Sequence, residues 1–332
     1  MANDFKYSLL ENGLDFLLSS LDHLTLASAP QTPVSGPEAH LKSQKHDLKY
    51  ALLHLCSSIE LIFKQRLNQE HWSLVFKDLT RASKDAYELG DFQSVSFQEA
   101  QERLVGICGV EFEPEQARDL RNVRDRRNKV EHFGALDTLP AVQASVTKMV
   151  NFLVDFVEQA FGQDALAAEQ DLIAAIRSRL GNCNAFVIHR WGQIQAEIKG
   201  LRSTVACPAC QQKALNADGG TAKCLFCNYE KDAEGAANDF VSNVLGWTSR
   251  FLVKRHGGVW PVTACPECGA DTLVTGISGP GDPENDYYCF SCGQQYSMGQ
   301  LAPCAECGAL FEFDDDEARI CPGCWAAKVA SD

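Results

Sequence analysis

Apolar residues recur every three or four positions through the first 160 residues, the spacing that places them on one face of an α-helix. The pattern covers five segments: 4–27, 41–67, 72–90, 96–108 and 139–161. A sixth helix is predicted to begin at Pro114, since proline is favoured in the first helical turn. Alternation with a period of two, which would indicate strands, is nearly absent here. We therefore predict a mainly α protein in which residues 1–162 form a helical bundle.

Two further helical patterns, at 164–180 and 186–201, form a helical connector over 163–203. Their spacing leaves open whether they pack on the bundle or form a stalk that leads to the rest of the chain. Beyond residue 203 the only long apolar pattern is a linking helix predicted at 236–258. A length of 332 residues suits about two domains, and the change of pattern places their border near residue 200.

Twelve of the fifteen cysteines form six Cys-x-x-Cys pairs in the last part of the chain. The pairs are Cys207/Cys210, Cys224/Cys227, Cys265/Cys268, Cys289/Cys292, Cys304/Cys307 and Cys321/Cys324. Two intervening residues let one tight turn aim two thiolates at a single metal, and two such turns complete a tetrahedral shell. We predict three structural Zn²⁺ ribbons, at 204–231, 260–297 and 301–328. A closed four-thiolate shell has no open coordination position, so we expect no catalytic metal.

Disulfides are the alternative interpretation of these cysteines, but disulfide frameworks belong to secreted chains. The first residues carry neither the basic segment nor the apolar run of a secretory signal, so we expect a reducing compartment, the cytoplasm. Proline and glycine inside and after the pairs also suit metal-binding turns. Sequential and interleaved pairing of ribbons two and three both remain open. Cys56, Cys108 and Cys183 have no partner at this spacing and are interpreted as small apolar residues.

The formal net charge of −14 argues against a general nucleic-acid coat protein, which needs excess lysine and arginine. Residues 201–332 carry 9 Lys and Arg against 17 Asp and Glu, so a protein partner suits the ribbons better than RNA does. Lys254 and Arg255, near Trp247 and Trp260, are an exception that could bind RNA, although a helix that packs ribbon one on ribbon two is the favoured interpretation of this segment. No apolar run reaches the ~18 residues that a membrane span needs, so we expect no membrane contact.

The helix that begins at Pro114 is basic, with six Lys and Arg against three Asp and Glu over 118–132. Asn128 and His132 are four residues apart and share a face, whereas Arg127 lies about 140° round the helix from His132. Gly134 is expected to end the helix. A guanidinium that binds phosphate and a histidine that exchanges protons near neutral pH are the minimum groups for metal-free RNA cleavage.

The run Arg-Asn-Lys-Val-Glu-His over 127–132 resembles the signature of HEPN-domain ribonucleases. The helix that holds Ser57, Glu60 and Lys64 resembles an earlier core helix of that superfamily, and the resemblance covers about residues 4–162. It implies a homodimer in which two motifs face each other and form one composite site. It also implies a role of the toxin or antiviral-defence type.

We therefore hypothesise a metal-independent endoribonuclease whose ribbons sense a trigger or recruit a protein partner or target. Arg127 would bind the scissile phosphate, His132 would act as acid or base, and Asn128 would orient either group. The predicted RNA-binding residues are Arg124, Arg126, Lys129, Lys254 and Arg255. Glu131 would repel phosphate unless it pairs with Arg127. The alternative is a catalytically inactive HEPN-like dimerisation module with a zinc-ribbon adaptor that binds a protein partner or RNA.

Overall fold

The computed structural model describes residues 7–30, 36–134, 137–247, 260–277, 286–297, 299–313 and 319–330. The chain divides into two compact units, Met1–Gly192 and Gln193–Asp332. Within the described residues, the helices are too short or too polar to cross a bilayer.

The first unit is helical, as the sequence pattern predicts. Its helices are α1 Leu9–Ala27, α2 Pro37–Glu70, α3 Lys84–Leu89, α4 Phe97–Gly106, α5 Pro114–His132, α6 Leu139–Ala160, α7 Gln163–Leu166, α8 Gln170–Asn182 and α9 Asn184–Gly200, which ends in the second unit. The segment predicted as helix at 72–90 is instead two 3₁₀ turns, Trp72–Val75 and Leu79–Arg81, followed by α3. Asp78 accounts for part of this difference, because its carboxylate accepts a hydrogen bond from the Thr80 amide at 3.0 Å and begins a new turn.

The core of the bundle lies along α2, which packs against α1, α4, α5 and α6. Fully buried side chains come from each of these helices: Leu14, Leu21, Leu52, Ile59, Phe63, Leu104, Leu120, Val123, Val146 and Leu153. Two serines join α1 to α2, because Ser58 donates to the Gly13 carbonyl at 2.6 Å and Ser20 donates to the Ala51 carbonyl at 2.8 Å. A Cβ added at Gly13 would lie 2.9 Å from Ile62 Cγ1. Glycine at this position therefore permits the close approach of the two helices.

Helix α8 and the first half of α9 belong to the bundle and do not form a stalk. Arg179 on α8 donates to Asp22 on α1 at 2.7 Å. The buried Arg190 on α9 binds both carboxylate oxygens of Asp155 on α6, at 2.8 and 2.9 Å. Such a two-point guanidinium–carboxylate pair fixes the orientation of both helices. Of the two arrangements that the sequence left open for the connector, the structure shows packing on the bundle as far as Gly192.

The second unit consists of small antiparallel sheets and short helices. The first sheet is β1 Leu215–Asp218, β2 Thr221–Cys224 and β3 Glu230–Asp232; the second is β4 Val262–Thr263, β5 Leu273–Thr275, β6 Tyr287–Cys289 and β7 Gln295–Tyr296; the third is β8 Leu301–Pro303 and β9 Leu310–Glu312. Helix α10 spans Ala233–Asn243 and α11 spans Pro322–Val329. Each sheet carries one of the predicted cysteine groups.

The linking helix differs from the continuous helix predicted at 236–258. Helix α10 ends at Asn243, and Gly246 then takes a φ of +75°, a conformation that interrupts a right-handed helix. Residues 248–259 lie outside the described residues, and the predicted RNA-binding residues Lys254 and Arg255 are among them.

Candidate functional site

The predicted catalytic residues lie on α5, whose ends follow from its sequence. Pro114 occupies the first turn, and the Gln116 side chain accepts a hydrogen bond from the Glu113 amide at 3.0 Å. Leu120 and Val123 are fully buried and anchor the helix in the bundle. The helix ends at His132, and Gly134 follows with a φ of +79°. The predicted stop at Gly134 is therefore confirmed.

The Arg127 guanidinium is held by two neighbours on its own helix. Its Nε lies 3.0 Å from Glu131 Oε2, and an Nη donates to Asn128 Oδ1 at 3.1 Å. The side chains of Arg127 and Glu131 are 38% and 32% exposed. The negative charge of Glu131, which would repel a phosphate, is therefore neutralised by Arg127, the residue predicted to bind that phosphate.

His132 lies on the exposed side of the last turn. Its side chain is 63% exposed, and its Nε2 is 3.8 Å from Glu131 Oε2. The same carboxylate thus approaches both Arg127 and His132, although these two residues project in different directions. Phe133, 89% exposed, follows immediately, with its ring centroid 6.4 Å from that of His132. The helix end therefore presents an imidazole and an aromatic ring to solvent.

Arg127 faces α2. It lines a small cavity of about 20 Å³ together with Cys56, Ser57, Glu60, Phe97 and Arg124. Ser57 and Glu60 belong to the segment that resembles the earlier HEPN core helix. Burial raises the pKa of Cys56 to about 12, so its thiol stays protonated and unreactive at neutral pH. This burial agrees with the interpretation of Cys56 as a small apolar residue.

The predicted strand-guiding residues on α5 differ in what they contact. Arg124 donates to Gln98 Oε1 at 2.9 Å and pairs with Asp125 at 3.2 Å. Arg126 pairs with Asp137 at 2.7 Å and donates to a backbone carbonyl at 3.2 Å. Both guanidiniums are therefore engaged within the chain. Lys129, by contrast, is exposed and makes no ion pair with the residues that the structure describes.

Arg121 is not among the residues predicted from the sequence, yet it is exposed and has no ion pair within the described ranges. Arg121 and His132 are eleven residues apart, which brings them within about 20° of the same direction on a helix. Arg118, four turns before His132, is also exposed and pairs with Glu115 at 3.3 Å. An eleven-residue spacing from His132 was the signal that could have identified Arg121.

The twelve paired cysteines form three groups of four, and the pairs combine in sequential order. Each group brings its four sulfur atoms within 4.8 Å of one another: Cys207, Cys210, Cys224 and Cys227; Cys265, Cys268, Cys289 and Cys292; Cys304, Cys307, Cys321 and Cys324. The closest cross-pair Sγ–Sγ distances are 3.7–3.9 Å. A tetrahedral site with metal–sulfur bonds of about 2.3 Å has sulfur atoms about 3.8 Å apart. The groups are therefore arranged to bind a metal ion.

The turns that hold these cysteines share one geometry. In five of the six pairs, the amide after the second cysteine donates to the carbonyl of the first, at 2.8–3.0 Å. The residue that donates has a positive φ in each case: 63° at Gln211, 56° at Asn228, 74° at Gly269, 70° at Gly293 and 74° at Gly308. The sixth turn begins α11, where the Trp325 amide donates to the Cys321 carbonyl at 2.9 Å. The glycines that follow the cysteine pairs thus lie where the turn needs a positive φ, as inferred from the sequence.

The three groups differ in burial. All four cysteines of the first group are buried, whereas Cys268 in the second and Cys307 in the third are exposed. In the third group the Cys321 amide donates to Cys304 Sγ at 3.3 Å. This hydrogen bond, together with those from the backbone of Cys307 and Glu306, lowers the pKa of Cys304 to about 6, which favours the thiolate that metal binding requires.

The first two cysteine groups are packed together. The Tyr288 hydroxyl accepts a hydrogen bond from the Ala217 amide at 2.9 Å, and the Ser291 carbonyl accepts one from the Gly220 amide at 2.9 Å. The rings of Phe240 and Phe290 lie 5.2 Å apart between centroids. The two groups therefore share a buried interface within the second unit.

Comparisons of this chain with protein-family models, with curated proteins and with solved structures find no match. Any assignment of function must therefore rest on the chemistry of the residues themselves.

Proposed function

We propose that this chain is a metal-independent endoribonuclease of the HEPN type, with a role in toxin activity or antiviral defence. The observation that supports it most directly is the end of α5, where the Glu131 carboxylate lies 3.0 Å from the Arg127 guanidinium and 3.8 Å from the exposed His132 imidazole. An exchange of Glu131 for a phosphate as the partner of Arg127 would bind RNA at the end of α5 that also carries His132. A group that can bind phosphate and a group that can transfer protons thus lie five residues apart on one helix.

The reaction balances without a cofactor. A base removes the proton of the ribose 2′-hydroxyl, the 2′-oxygen bonds to phosphorus, and the bond from phosphorus to the 5′-oxygen breaks. An acid protonates the departing 5′-oxygen, which leaves a 2′,3′-cyclic phosphate and a 5′-hydroxyl. Arg127 would stabilise the charge on the pentacovalent phosphorus. Because one histidine cannot readily serve as both acid and base, the proposal includes a homodimer that supplies a second His132.

The exposed face of α5 supplies an approach for the strand. Arg121 and Lys129 lie on that face with His132 and make no ion pair with the described residues, whereas Arg124 and Arg126 are bound within the chain. Phosphate contacts of this kind are independent of sequence and weaken as salt rises. We therefore assign strand guidance to Arg121 and Lys129 in place of Arg124 and Arg126.

We further propose that zinc occupies the three cysteine groups and holds a surface for a trigger or partner. The donor set supports this assignment, because four thiolates in a tetrahedral arrangement favour Zn²⁺. Zinc would fold the ribbons, and the acidic composition of 201–332 favours a protein partner with a basic surface. Elemental analysis of the purified chain should find about three zinc atoms per protein molecule, one for each cysteine group.

The deciding experiment is cleavage of end-labelled transfer RNA and single-stranded RNA without added divalent metal. His132→Ala should lower the rate by about 100- to 10,000-fold, the usual contribution of general acid–base catalysis. His40→Ala, on the first turn of α2, is the matched control and should retain full activity. Products of the wild-type protein should carry 2′,3′-cyclic phosphate ends. Equal cleavage by wild type and His132→Ala would exclude His132 as the catalytic residue.

The second candidate function is an inactive dimerisation module whose ribbons act as an adaptor. The Arg127–Glu131 pair is the observation that favours it, because it leaves no unpaired guanidinium at this position. The two functions separate in one comparison. An adaptor would form dimers and bind its partner equally well with or without His132, and neither form would cleave RNA.

A further inference from the structure

A second candidate site lies in the bundle, away from the Arg127–His132 motif. A cavity of about 610 Å³ opens where the C-terminal ends of α2 and α6 meet the segment that enters α5. Small-molecule sites occupy about 300–1,000 Å³, so this volume is sufficient for a ligand. Its nearest residue on α5 is Gln116, sixteen positions before His132, or about 24 Å along the helix axis. The cavity is therefore distinct from the proposed catalytic site.

One wall of the cavity is aromatic. Phe112, Phe152 and Phe156 line it, and the ring planes of Phe112 and Phe156 lie 19° from parallel with centroids 6.3 Å apart. Phe152 and Phe156 are likewise stacked, at 5.7 Å. The fully buried Phe63 packs behind them, 5.2 Å from Phe156 and 5.8 Å from Phe112. The rings are thus held rigidly by the core, while Phe112 remains partly exposed.

The rim of the cavity carries three carboxamides, from Gln69, Gln116 and Gln159. The Gln116 oxygen is fixed by the Glu113 amide, which leaves its NH₂ group as a donor. Gln69 and Gln159 are exposed, and within the described ranges their side chains make no hydrogen bond. A carboxamide offers a donor and an acceptor side by side, the complement of a nucleobase edge.

The charges around the cavity are mostly neutralised within the chain. Arg66 pairs with Glu70 at 3.3 Å, and Asp155 is bound at both oxygens by Arg190. Glu111 adds a negative charge at the rim. Among the described lining residues, the positive charge of Arg66 is thus already paired, which disfavours a phosphate group or a carboxylate as the ligand. Its chemistry suits a neutral, flat ring with hydrogen-bonding edges.

We propose that this cavity binds a nucleobase, with the ring against the Phe112–Phe156 wall and its edge paired with the glutamine carboxamides. Stacking on aromatic side chains and hydrogen bonds to the base edge are the means by which proteins hold unpaired bases. The base comes either from a free nucleoside or from an unpaired nucleotide of an RNA strand. Neither source requires catalysis at His132, so the proposal stands apart from the ribonuclease function.

The test measures binding to the full-length chain by calorimetry and saturation-transfer NMR. The probes are adenosine, guanosine, cytidine, uridine and a short single-stranded oligoribonucleotide. Phe112→Leu keeps apolar volume but removes the ring, and it should weaken binding at least about fivefold, whereas Phe112→Tyr should retain it. Gln159→Ala on the exposed rim should weaken binding or change the preferred base. Gln170→Ala, an exposed glutamine outside the cavity, is the matched control and should leave binding unchanged.

The pattern of binding identifies the source of the base. Binding of a nucleoside that is lost in Phe112→Leu would support the site and assign it to a free ligand. Binding of the oligoribonucleotide alone, with the same sensitivity to Phe112 and Gln159, would support the site and assign it to a strand. Absence of binding to every probe would overturn the proposal. Binding that is unchanged in Phe112→Leu and Gln159→Ala would overturn the proposal as well.

Discussion

At the interface between the first two cysteine groups, substitution of Gly293 should lower the stability of both groups. This residue follows Cys292 and has a φ of +70°. A Cβ at this position would lie 2.5 Å from the Ala217 carbonyl oxygen, which belongs to β1 in the other group. Ordinary contacts between such atoms are about 1 Å longer. Because the obstacle is backbone in a paired strand, it cannot swing aside as a flexible side chain would.

Two costs add in Gly293→Ala. A left-handed backbone costs an L-residue about 1–2 kcal/mol, and relief of an overpacked contact costs about 1–3 kcal/mol. The sum is about 2–5 kcal/mol in the free energy of unfolding. Gly269 and Gly308 occupy the same turn position, each with a φ of +74°, but no atom of the described residues lies within 4 Å of a Cβ there. Gly269→Ala and Gly308→Ala therefore carry the backbone cost alone, about 1–2 kcal/mol.

The assay follows zinc release from the loaded protein with a coloured chelator while urea is raised. With a urea dependence of about 1–3 kcal/mol per molar, Gly293→Ala should shift the release midpoint of the first two groups by about 1–3 M. Gly269→Ala should shift the midpoint by roughly half as much or less. Equal midpoints for these two variants would refute the packing of β1 against the turn at Gly293.

Three further predictions concern the metal, the motif and pH. Removal of zinc by a strong chelator should abolish the sheets of the second unit. Most of the helical circular dichroism signal in the far ultraviolet should remain, because α1–α8 lie in the first unit. Loss of that signal would contradict the division of the chain into two units. Glu131→Gln should cost at most about 0.5 kcal/mol of stability, as an exposed i,i+4 pair does, yet tighten RNA binding several-fold by releasing Arg127; weaker binding would argue against Arg127 as the phosphate ligand. Burial, with a contribution from neighbouring His23, lowers the pKa of His54 below 6.5 in the folded state, and Asp15 opposes the shift. The contribution of neutral His54 to stability is therefore present above pH 6.5 and is lost as pH falls through the folded pKa. The urea concentration at the unfolding midpoint should decrease as pH falls below 6.5, and it should decrease less in His54→Gln.

The local features of this chain were predictable because they depend on short-range rules. The helical periodicity predicted the extents of α1, α2 and α6 to within five residues, and Pro114 predicted the start of α5. The stop at Gly134 and the metal-binding turns followed in the same way, since a positive φ after a Cys-x-x-Cys pair is a property of the turn itself. The prediction of a helix at 72–90 was wrong in part because a local Asp78 hydrogen bond competes with the helix. Apolar periodicity carries no information about such side-chain hydrogen bonds.

Other features depend on long-range contacts, which no local pattern specifies. The sequence left sequential and interleaved cysteine pairing open, and only the folded strands bring Cys265 and Cys268 to Cys289 and Cys292. The engagement of Arg124 and Arg126 was likewise hidden, because their partners Gln98 and Asp137 lie 26 and 11 residues away. The aromatic cavity joins the ends of three helices, so it arises from packing alone. Sequence thus determined which residues could do chemistry, and tertiary structure decided which of them meet, since side-chain neighbours across helices are set by packing geometry.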